Sequence, residues 1–172
     1  MSPVLAEFSA PWNRRLSVTT AVSLVILLAV TLAALFAGPH QLAWRVALTM
    51  LPALVLLGTL PFMVRGYVLT DKDLKVRRLG WCTVLPLDGL VAVSGEPQGL
   101  RGSVRLFGNG GLFAVNGWFW NRRIGRFRAY VTDPERAVLL RYRDGRQVML
   151  TPHDVQHFIV RARTLAGLRS NA

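Results

Sequence analysis

Two histidines with helical spacing are the residues in this sequence that most resemble a catalytic metal site. His153 and His157 stand in the string HDVQH. Two histidines at positions i and i+4 of a helix bind Zn²⁺ in metalloproteases, where a glutamate after the first histidine is the general base. Here Asp154 takes the place of that glutamate, and no third metal ligand is evident downstream. A metal-dependent hydrolase is therefore an alternative that the sequence disfavours, and we predict no metal ligand, no cofactor and no catalytic residue.

A glycine-rich and aromatic stretch, residues 108–133, raises the question of a phosphate-binding loop. It has the sequence GNGGLFAVNGWFWNRRIGRFRAYVTD. The lysine and hydroxyl residue of a P-loop do not follow these glycines, and Gly108 and Gly110 lack a third glycine at the dinucleotide-binding spacing. The pair Asn109-Gly110 is more typical of a turn between two strands. We therefore expect the aromatic residues to lie mostly in the core, and we expect the protein not to be an enzyme.

Basic residues are the third group that could do chemistry, by binding an anionic surface. The chain has 21 Lys and Arg against 9 Asp and Glu, a net charge of +12. The candidate contacts are Lys72, Lys75, Arg77, Arg122, Arg123, Arg126 and Arg128. Such a run is usually a solvated strand face, whereas beside an anionic membrane leaflet each basic residue contributes ~1 kcal/mol of attraction. The preceding part of the chain decides between these two interpretations.

Two long apolar runs precede the basic part of the chain. No residue between Leu16 and Trp44 is charged, and the run 46–64 is again free of charge. Since about 20 apolar residues cross a hydrocarbon core of ~30 Å, we predict membrane spans at about residues 17–37 and 46–64, within a transmembrane hairpin of residues 16–64. Two all-apolar core helices of a soluble protein would need a large partner surface, and the remaining chain is strongly basic instead.

The basic residues that flank the two runs predict their direction. Arg14 and Arg15 precede the first span, only Arg45 lies between the spans, and a series of basic residues follows within 65–78. Basic flanks stay in the cytoplasm. We therefore predict a multi-pass protein of the inner (plasma) membrane, with a cytoplasmic segment at residues 1–15, both termini in the cytoplasm and a short external loop at about residues 38–44.

After residue 64 the pattern changes from continuous apolar to alternating. Runs such as 66–70, 74–78 and 127–131 place apolar side chains on one face. The pair Asp144-Gly145, between two further runs, indicates a tight hairpin turn because both residues accept a positive φ. We count about seven strands at intervals of about ten residues, a pattern typical of a β-sandwich or barrel.

One amphipathic helix ends the predicted domain, which covers residues 65–167 and leaves 168–172 as a tail. Thr151 is a suitable N-cap, Asp154 has capping-box spacing and Gly167 is a suitable stop. The apolar stripe consists of Val155, Phe158, Ile159, Ala162 and Leu165. Such a helix after a β unit can cap the open end of a barrel.

This plan of strands followed by one capping helix resembles the pleckstrin-homology-like (PH-like) layout. Its details are similar to the bacterial PH domain families, in which such a module follows a two-span hairpin. The likeness covers about residues 65–166, and it is carried by YVLTDKDLKV (67–76), VLPLDGLVAV (84–93), the stretch 108–133 and VMLTPHDVQHFI (148–159). The resemblance implies a fold and a binding or scaffolding role, and it implies no reaction.

The resemblance also bears on the first predicted hairpin. Lys72, Lys75 and Arg77 fall where phosphoinositide-binding PH domains carry basic residues. Here Asp71 and Asp73 stand between them, so general attraction to anionic lipid is favoured over recognition of one headgroup.

Together these features predict an α+β membrane protein. A two-helix transmembrane hairpin is followed by a PH-like seven-stranded antiparallel β-barrel or sandwich with a C-terminal capping α-helix. We expect a membrane-anchored interaction or scaffolding module whose partners are the lipid bilayer, anionic lipid headgroups and a protein that the sequence does not identify. The alternatives are a small subunit of a larger membrane complex, a nucleic-acid-binding membrane protein, which is disfavoured because membrane tethering explains the same charge, and the hydrolase at His153 and His157.

Overall fold

The computed structural model describes residues 3–37, 41–110 and 112–168. A short strand is followed by a helical hairpin, two β-sheets and a C-terminal helix. The elements in chain order are β1 (Val4–Ser9), α1 (Arg14–Ala37), α2 (Leu42–Thr59), β2 (Val64–Thr70), β3 (Asp73–Arg78), β4 (Cys82–Pro86), β5 (Leu90–Gly95), β6 (Val104–Gly110), β7 (Val115–Asn121), β8 (Gly125–Val131), β9 (Val138–Tyr142), β10 (Gln147–Leu150) and α3 (Val155–Leu165). Two short 3-10 helices, Leu60–Phe62 and Pro134–Arg136, lie between these elements.

The helices α1 and α2 occupy the two apolar runs of the sequence. Both are long and apolar enough to cross a membrane, and only 11% and 6% of the residues in their most apolar windows are buried. The helix α2 continues through Pro52 and ends at Thr59, and the 3-10 helix Leu60–Phe62, which contains Pro61, follows it directly. At the other end of the hairpin lies the predicted external loop, of which residues 38–40 fall outside the described residues.

Residues 4–9 form a strand, whereas the sequence predicts residues 1–15 only as a cytoplasmic segment. β1 pairs antiparallel with β2, with Phe8 opposite Tyr67 and Ser9 opposite Gly66. The ring of Phe8 is buried and packs edge-on against Phe158 of α3, with 5.2 Å between the ring centroids. Because β1 leads into α1 and β2 follows α2, this pairing holds the two ends of the helical hairpin together.

The β module differs in three respects from the seven-stranded antiparallel barrel or sandwich that the sequence predicts. Nine strands, β2 to β10, follow the helical hairpin within the described residues. They lie in two sheets of order β1-β2-β3-β4 and β5-β9-β10-β8-β7-β6, and no pairing in the described part of the chain joins these sheets into a closed barrel. Finally, β8 and β10 are parallel, with Met149 opposite Ala129.

The parallel pair follows from the path of the chain after β8. The chain crosses through the 3-10 helix Pro134–Arg136 and then forms the hairpin β9–β10, in which Val148 lies opposite Leu140. The turn of this hairpin contains the predicted Asp144-Gly145 pair, with Gly145 at φ 81°. Since the hairpin is inserted between β5 and β8, its second strand runs beside β8 in the same direction. Local alternation in a sequence does not specify such an order, because strand order depends on pairing between distant segments.

The two sheets and α3 enclose one main core. Its members include Tyr67, Leu69, Leu74, Val76, Tyr130, Leu140, Leu150 and Phe158. The apolar face of α3 is confirmed, since Phe158, Ile159 and Ala162 are buried. The N-cap differs from the predicted Thr151: Asp154 caps the helix, and its side chain accepts a hydrogen bond of 3.0 Å from the backbone N–H of His157. The tail after Leu168 lies outside the described residues.

The β module also contacts the first turns of α1. Leu16 and Thr20 are buried there, and the backbone N–H of Phe113 donates to Thr20 Oγ1 at 3.3 Å. The rings of Trp12 and Phe113 lie 6.3 Å apart. The loop between β6 and β7 therefore lies against the end of the hairpin at which the chain enters it.

A buried tyrosine joins the two sheets through hydrogen bonds. The hydroxyl of Tyr67, on β2, donates to the carbonyl oxygen of Tyr130 on β8 at 2.6 Å and accepts from the backbone N–H of Thr151 at 3.1 Å. Burial raises the pKa of Tyr67 to about 12. The protonated phenol is the form that can donate, so the folded state favours the protonated form.

Replacing Gly66 by alanine is expected to displace β1. A Cβ atom at this position would lie 2.7 Å from the carbonyl oxygen of Phe8, which is backbone and can move only with its strand. We expect a loss of about 1–3 kcal/mol in the free energy of unfolding and faster amide hydrogen exchange in residues 4–9. Gly80→Ala is the control, because nothing lies within 4 Å of its Cβ position. Unchanged exchange in Gly66→Ala would contradict the pairing of β1 with β2.

Deprotonation of the buried Tyr67 phenol is expected to lower the free energy of unfolding at alkaline pH. The pKa of Tyr67 is about 12 in the folded protein, above the ordinary tyrosine value of 10.0, so its contribution to stability is complete below pH ~10 and is lost as the pH rises toward 12. Denaturant unfolding at pH 8, 10 and 11 should show a smaller alkaline decrease for Tyr67→Phe than for the wild type. Tyr142→Phe is the parallel case, since burial also raises the pKa of Tyr142 to about 12. An identical decrease in wild type and Tyr67→Phe would contradict this assignment.

Candidate functional site

The predicted basic residues of the first hairpin lie on the four-stranded sheet and close to acids. Arg77 forms an ion pair with Glu7 of β1, a partner on a strand that the sequence did not predict. Lys72 borders a cavity of about 420 Å³ that is also lined by Asp71, Asp73 and Asp88. Three carboxylates beside one lysine make this cavity unsuited to an anion.

The second group of predicted basic residues lies on the six-stranded sheet. Arg122 is exposed in the turn between β7 and β8, and Arg123 pairs with Glu96 at 3.2 Å. Arg126 and Arg128 follow on β8, with their guanidinium carbons 4.5 Å and 5.8 Å from the centre of the Trp118 ring. The structure therefore brings Arg126 and Arg128 together around one aromatic ring and leaves the other predicted contacts apart from them.

An arginine that the sequence analysis did not single out is the most unusual charged residue of the fold. Arg78 ends β3 and is only 7% exposed. Its guanidinium carbon lies 5.7 Å, 5.4 Å and 5.0 Å from the ring centres of Phe62, Trp81 and Tyr130, respectively. Its Nε atom is buried and has no hydrogen-bond partner among the described residues. In the described residues no carboxylate forms an ion pair with Arg78.

The sequence did contain a signal for this residue. Side chains at i, i+2 and i+4 of a strand share one face, so Arg78 lies in phase with Leu74 and Val76, both of which are fully buried. An arginine in the buried phase of an alternating strand is exceptional, because charged residues are almost never fully buried unless they are paired.

Arg78 lines a cavity at the base of the helical hairpin. The cavity has a volume of about 560 Å³, and elements that are distant in sequence meet around it. The end of α2 and the following 3-10 helix contribute Gly58, Thr59 and Phe62, while the β module contributes Arg78, Arg105, Phe107, Gly108, Asn116, Gly117, Trp118 and Arg128. Of the described residues, three arginines and no carboxylate line it, and we refer to it below as the basic cavity.

Two glycines bring the strands β6 and β7 close together at the basic cavity. Gly108 and Gly117 are paired and have φ values of 116° and 150°. A Cβ atom on Gly117 would lie 2.1 Å from the carbonyl oxygen of Phe107, and one on Gly108 would lie 2.3 Å from that of Asn116. No larger residue fits, so this part of the wall consists of backbone alone.

Electrostatics make the basic cavity favourable for an anion. Burial lowers the pKa of the Arg78 guanidinium, the neighbouring Tyr130 raises it, and the charge of Arg128 lowers it further. An arginine nevertheless stays protonated in proteins. The three aromatic rings offset part of the lost hydration, with cation–π contacts of about 0.5–2 kcal/mol each. An anion would supply a hydrogen-bond partner for Nε and an opposite charge, neither of which the described residues provide.

The two histidines do not share a helix. The helix α3 begins at Val155, so His153 precedes it and His157 lies in its first turn. His157 packs against the ring of Phe8 at 5.5 Å. Among the described residues no group of three or more His, Cys, Asp and Glu side chains is arranged to hold a metal ion. The helical metal pair that the sequence raised as an alternative is therefore wrong in its geometry.

Comparison with known proteins gives one result. Residues 65–165 match a family model described as Bacterial PH domain, which covers β2 without its first residue, β3 to β10 and the whole of α3. Comparisons with curated proteins and with solved structures gave no match.

Arg78→Met is expected to leave the free energy of unfolding within about 1 kcal/mol of the wild type, or to raise it. Replacing a buried charge by an apolar side chain of similar volume is often neutral or stabilising, and methionine keeps the contacts with the three rings. The measurement is chemical unfolding of the purified protein in neutral detergent without added lipid. The control is Arg141→Met, at an exposed position of β9. A decrease of more than ~3 kcal/mol for Arg78→Met alone would mean that the guanidinium stabilises the fold by itself.

Proposed function

Because this chain belongs to the bacterial PH domain family, we propose that it is a membrane-anchored interaction module that binds anionic lipid at the inner face of the cell membrane. PH-like domains in general are modules that interact with lipids or with proteins. Three features support the membrane anchor and the binding of anionic lipid: the helical hairpin, the strand that joins its ends, and the basic cavity. The proposed activity is binding, without a chemical reaction.

The helical hairpin supports the membrane anchor. The 24 residues of α1 correspond to a length of about 36 Å at 1.5 Å per residue, and the hydrocarbon core is ~30 Å thick. Large apolar side chains such as Val25, Leu28 and Leu54 are exposed on the two helices. In water this surface would be unfavourable, whereas in lipid it is the expected surface of a span.

The pairing of β1 with β2 supports the orientation. These strands flank the hairpin on both sides, and their backbone hydrogen bonds require them to lie on the same side of a bilayer. The side with the basic module is the cytoplasmic side by the distribution of basic residues. The proposal therefore has residues 3–13 and the PH-like domain in the cytoplasm.

The basic cavity is the observation that carries the proposed function. Its lining includes the last residues of α2, which places it at the depth of the lipid headgroups if α2 spans the bilayer. Phosphate groups lie at that depth, and basic residues there are attracted to anionic lipids.

A second candidate function, a small subunit of a larger membrane complex, is favoured by one observation. β6 is an outer strand of the six-stranded sheet, and its side chains Val104, Leu106 and Phe107 are exposed. Such an edge can accept a strand from another protein. One membrane-bound module could both bind anionic lipid and be a subunit of a larger complex.

Topology is tested with the cysteine that the chain already has. Cys82 is exposed on β4, so a membrane-impermeant maleimide should label it only after the cells are permeabilised. In a Cys82→Ser background, Gln41→Cys at the start of α2 should be labelled in intact cells. Labelling of Cys82 in intact cells, or recovery of the full-length protein in the supernatant after ultracentrifugation, would overturn the proposed anchor.

Lipid preference is tested on the full-length protein extracted in mild detergent. Anionic lipids should be enriched among the co-purified lipids relative to the membrane from which the protein was extracted, because the module carries an excess of basic charge beside the bilayer. Quantitative lipid mass spectrometry provides the measurement, and an unrelated two-span protein purified in the same way is the control. Equal lipid composition in both preparations would contradict the proposed preference.

A further inference from the structure

Arg78 is positioned to bind an anion rather than to complete the protein core. It is more than nine-tenths buried and lines the basic cavity, and in the part of the chain that the structure describes its Nε atom has no hydrogen-bond partner. A buried polar atom without a partner in a native protein calls for an explanation, and an absent ligand is one. A guanidinium has five donors in a planar fork that matches the oxygen atoms of a phosphate group.

Two further arginines make the basic cavity favour a negatively charged ligand. Arg105 of β6 and Arg128 of β8 also line it, and neither forms an ion pair with a carboxylate in the part of the chain that the structure describes. Three guanidinium groups around one cavity favour a phosphate over a neutral polar group. The volume of about 560 Å³ lies within the range of small-molecule sites, so it admits more than a bare phosphate ion.

The α2 end of the basic cavity opposes an anion only weakly. The C-terminal end of a helix carries a partial negative charge of about half an elementary charge, and Gly58 and Thr59 belong to this end. Three full positive charges outweigh it.

The apolar part of the lining distinguishes a lipid from a soluble phosphate. Phe107 is 78% exposed although it borders the cavity, and Phe62 is also exposed. A soluble anion would leave both rings in water. A lipid whose phosphate contacts the arginines would place its glycerol and the first carbons of its acyl chains against these rings, at the end of α2 where a span leaves the hydrocarbon core.

We propose that the basic cavity binds the phosphate group of an anionic membrane lipid, with Arg78 as the buried anchor, Arg105 and Arg128 as the outer contacts, and Phe62 and Phe107 against the lipid backbone. This inference rests on the proposed function and names its site. The site lies on the six-stranded sheet and the hairpin base, away from the first hairpin with Lys72.

The test uses the full-length protein in neutral detergent. Three probes are titrated: short-chain phosphatidylglycerol, short-chain phosphatidylcholine, and inorganic phosphate, with thermal stabilisation and native mass spectrometry as readouts. We expect phosphatidylglycerol to bind the wild type most tightly, because the choline cation of phosphatidylcholine faces the arginines and inorganic phosphate makes no contact with the two rings. Stabilisation by inorganic phosphate equal to that by phosphatidylglycerol would reject a lipid as the ligand.

Variants assign the binding to the basic cavity. Arg78→Met and Arg128→Gln should each weaken phosphatidylglycerol binding about tenfold or more, the loss expected for a charge-assisted hydrogen bond. Arg141→Met removes one positive charge from an exposed position of β9 and should bind like the wild type. Arg128 is exposed, so its variant keeps the test valid if Arg78→Met does not fold.

The outcomes separate this inference from the proposed function. Equal phosphatidylglycerol affinity in the wild type, Arg78→Met and Arg128→Gln would reject the site while the preference for anionic lipid stands. An equal loss of affinity in Arg141→Met would also reject the site, since only overall charge would then matter. No preference of the wild type for phosphatidylglycerol over phosphatidylcholine would reject both proposals.

Discussion

The two apolar helices are antiparallel, so the chain leaves the hairpin at the same end at which it entered. The rest of this structure depends on that constraint. Two antiparallel helices bring residues 13 and 60 to one end, and the pairing of β1 with β2 fixes that arrangement through backbone hydrogen bonds. The four-stranded sheet therefore begins at the base of the hairpin. The loop before β7 packs on α1 near Thr20, and the end of α2 contributes to the basic cavity. The basic cavity is therefore bounded by segments that these contacts hold together.

At Arg78 the proposed binding function and the stability of the fold favour different kinds of side chain. The other inward residues of β3 are apolar, and a further apolar residue would complete the strand at no cost in hydration. The arginine occupies that position among three aromatic rings, and no carboxylate of residues 3–37, 41–110 or 112–168 forms an ion pair with it. Buried charges of this kind are a recognised mark of functional sites. A protein that binds its ligand through such a residue is more stable with the ligand than without it, since binding to the native state adds to the free energy of unfolding.

Local patterns in the sequence predicted much of the fold and little of the site. The two apolar runs, the change of pattern near residue 64 and the apolar stripe of α3 depend on neighbouring residues and agree with the structure, and the family is confirmed. The strand β1 was missed because its partner lies across the whole hairpin, and the strand order because pairing between distant segments decides it. Of the predicted contacts only Arg128 lines the basic cavity. The alternation of Arg78 with Leu74 and Val76 indicated that its side chain is buried. Nothing in the sequence indicated that β3, β6 and α2 meet around it.

The position of β1 before the hairpin has a consequence for the order of assembly. Chains are synthesised from the N-terminus, so residues 4–9 leave the ribosome long before β2, the strand to which they bond. Until both helices and β2 have been synthesised, β1 has no strand to pair with and the wall of the basic cavity is incomplete. In the proposed arrangement, membrane insertion of the hairpin and folding of the β module are successive steps of one process. A chain that stalls after α1 would therefore present β1 without its partner strand, and an unpaired strand is a template for association with other chains.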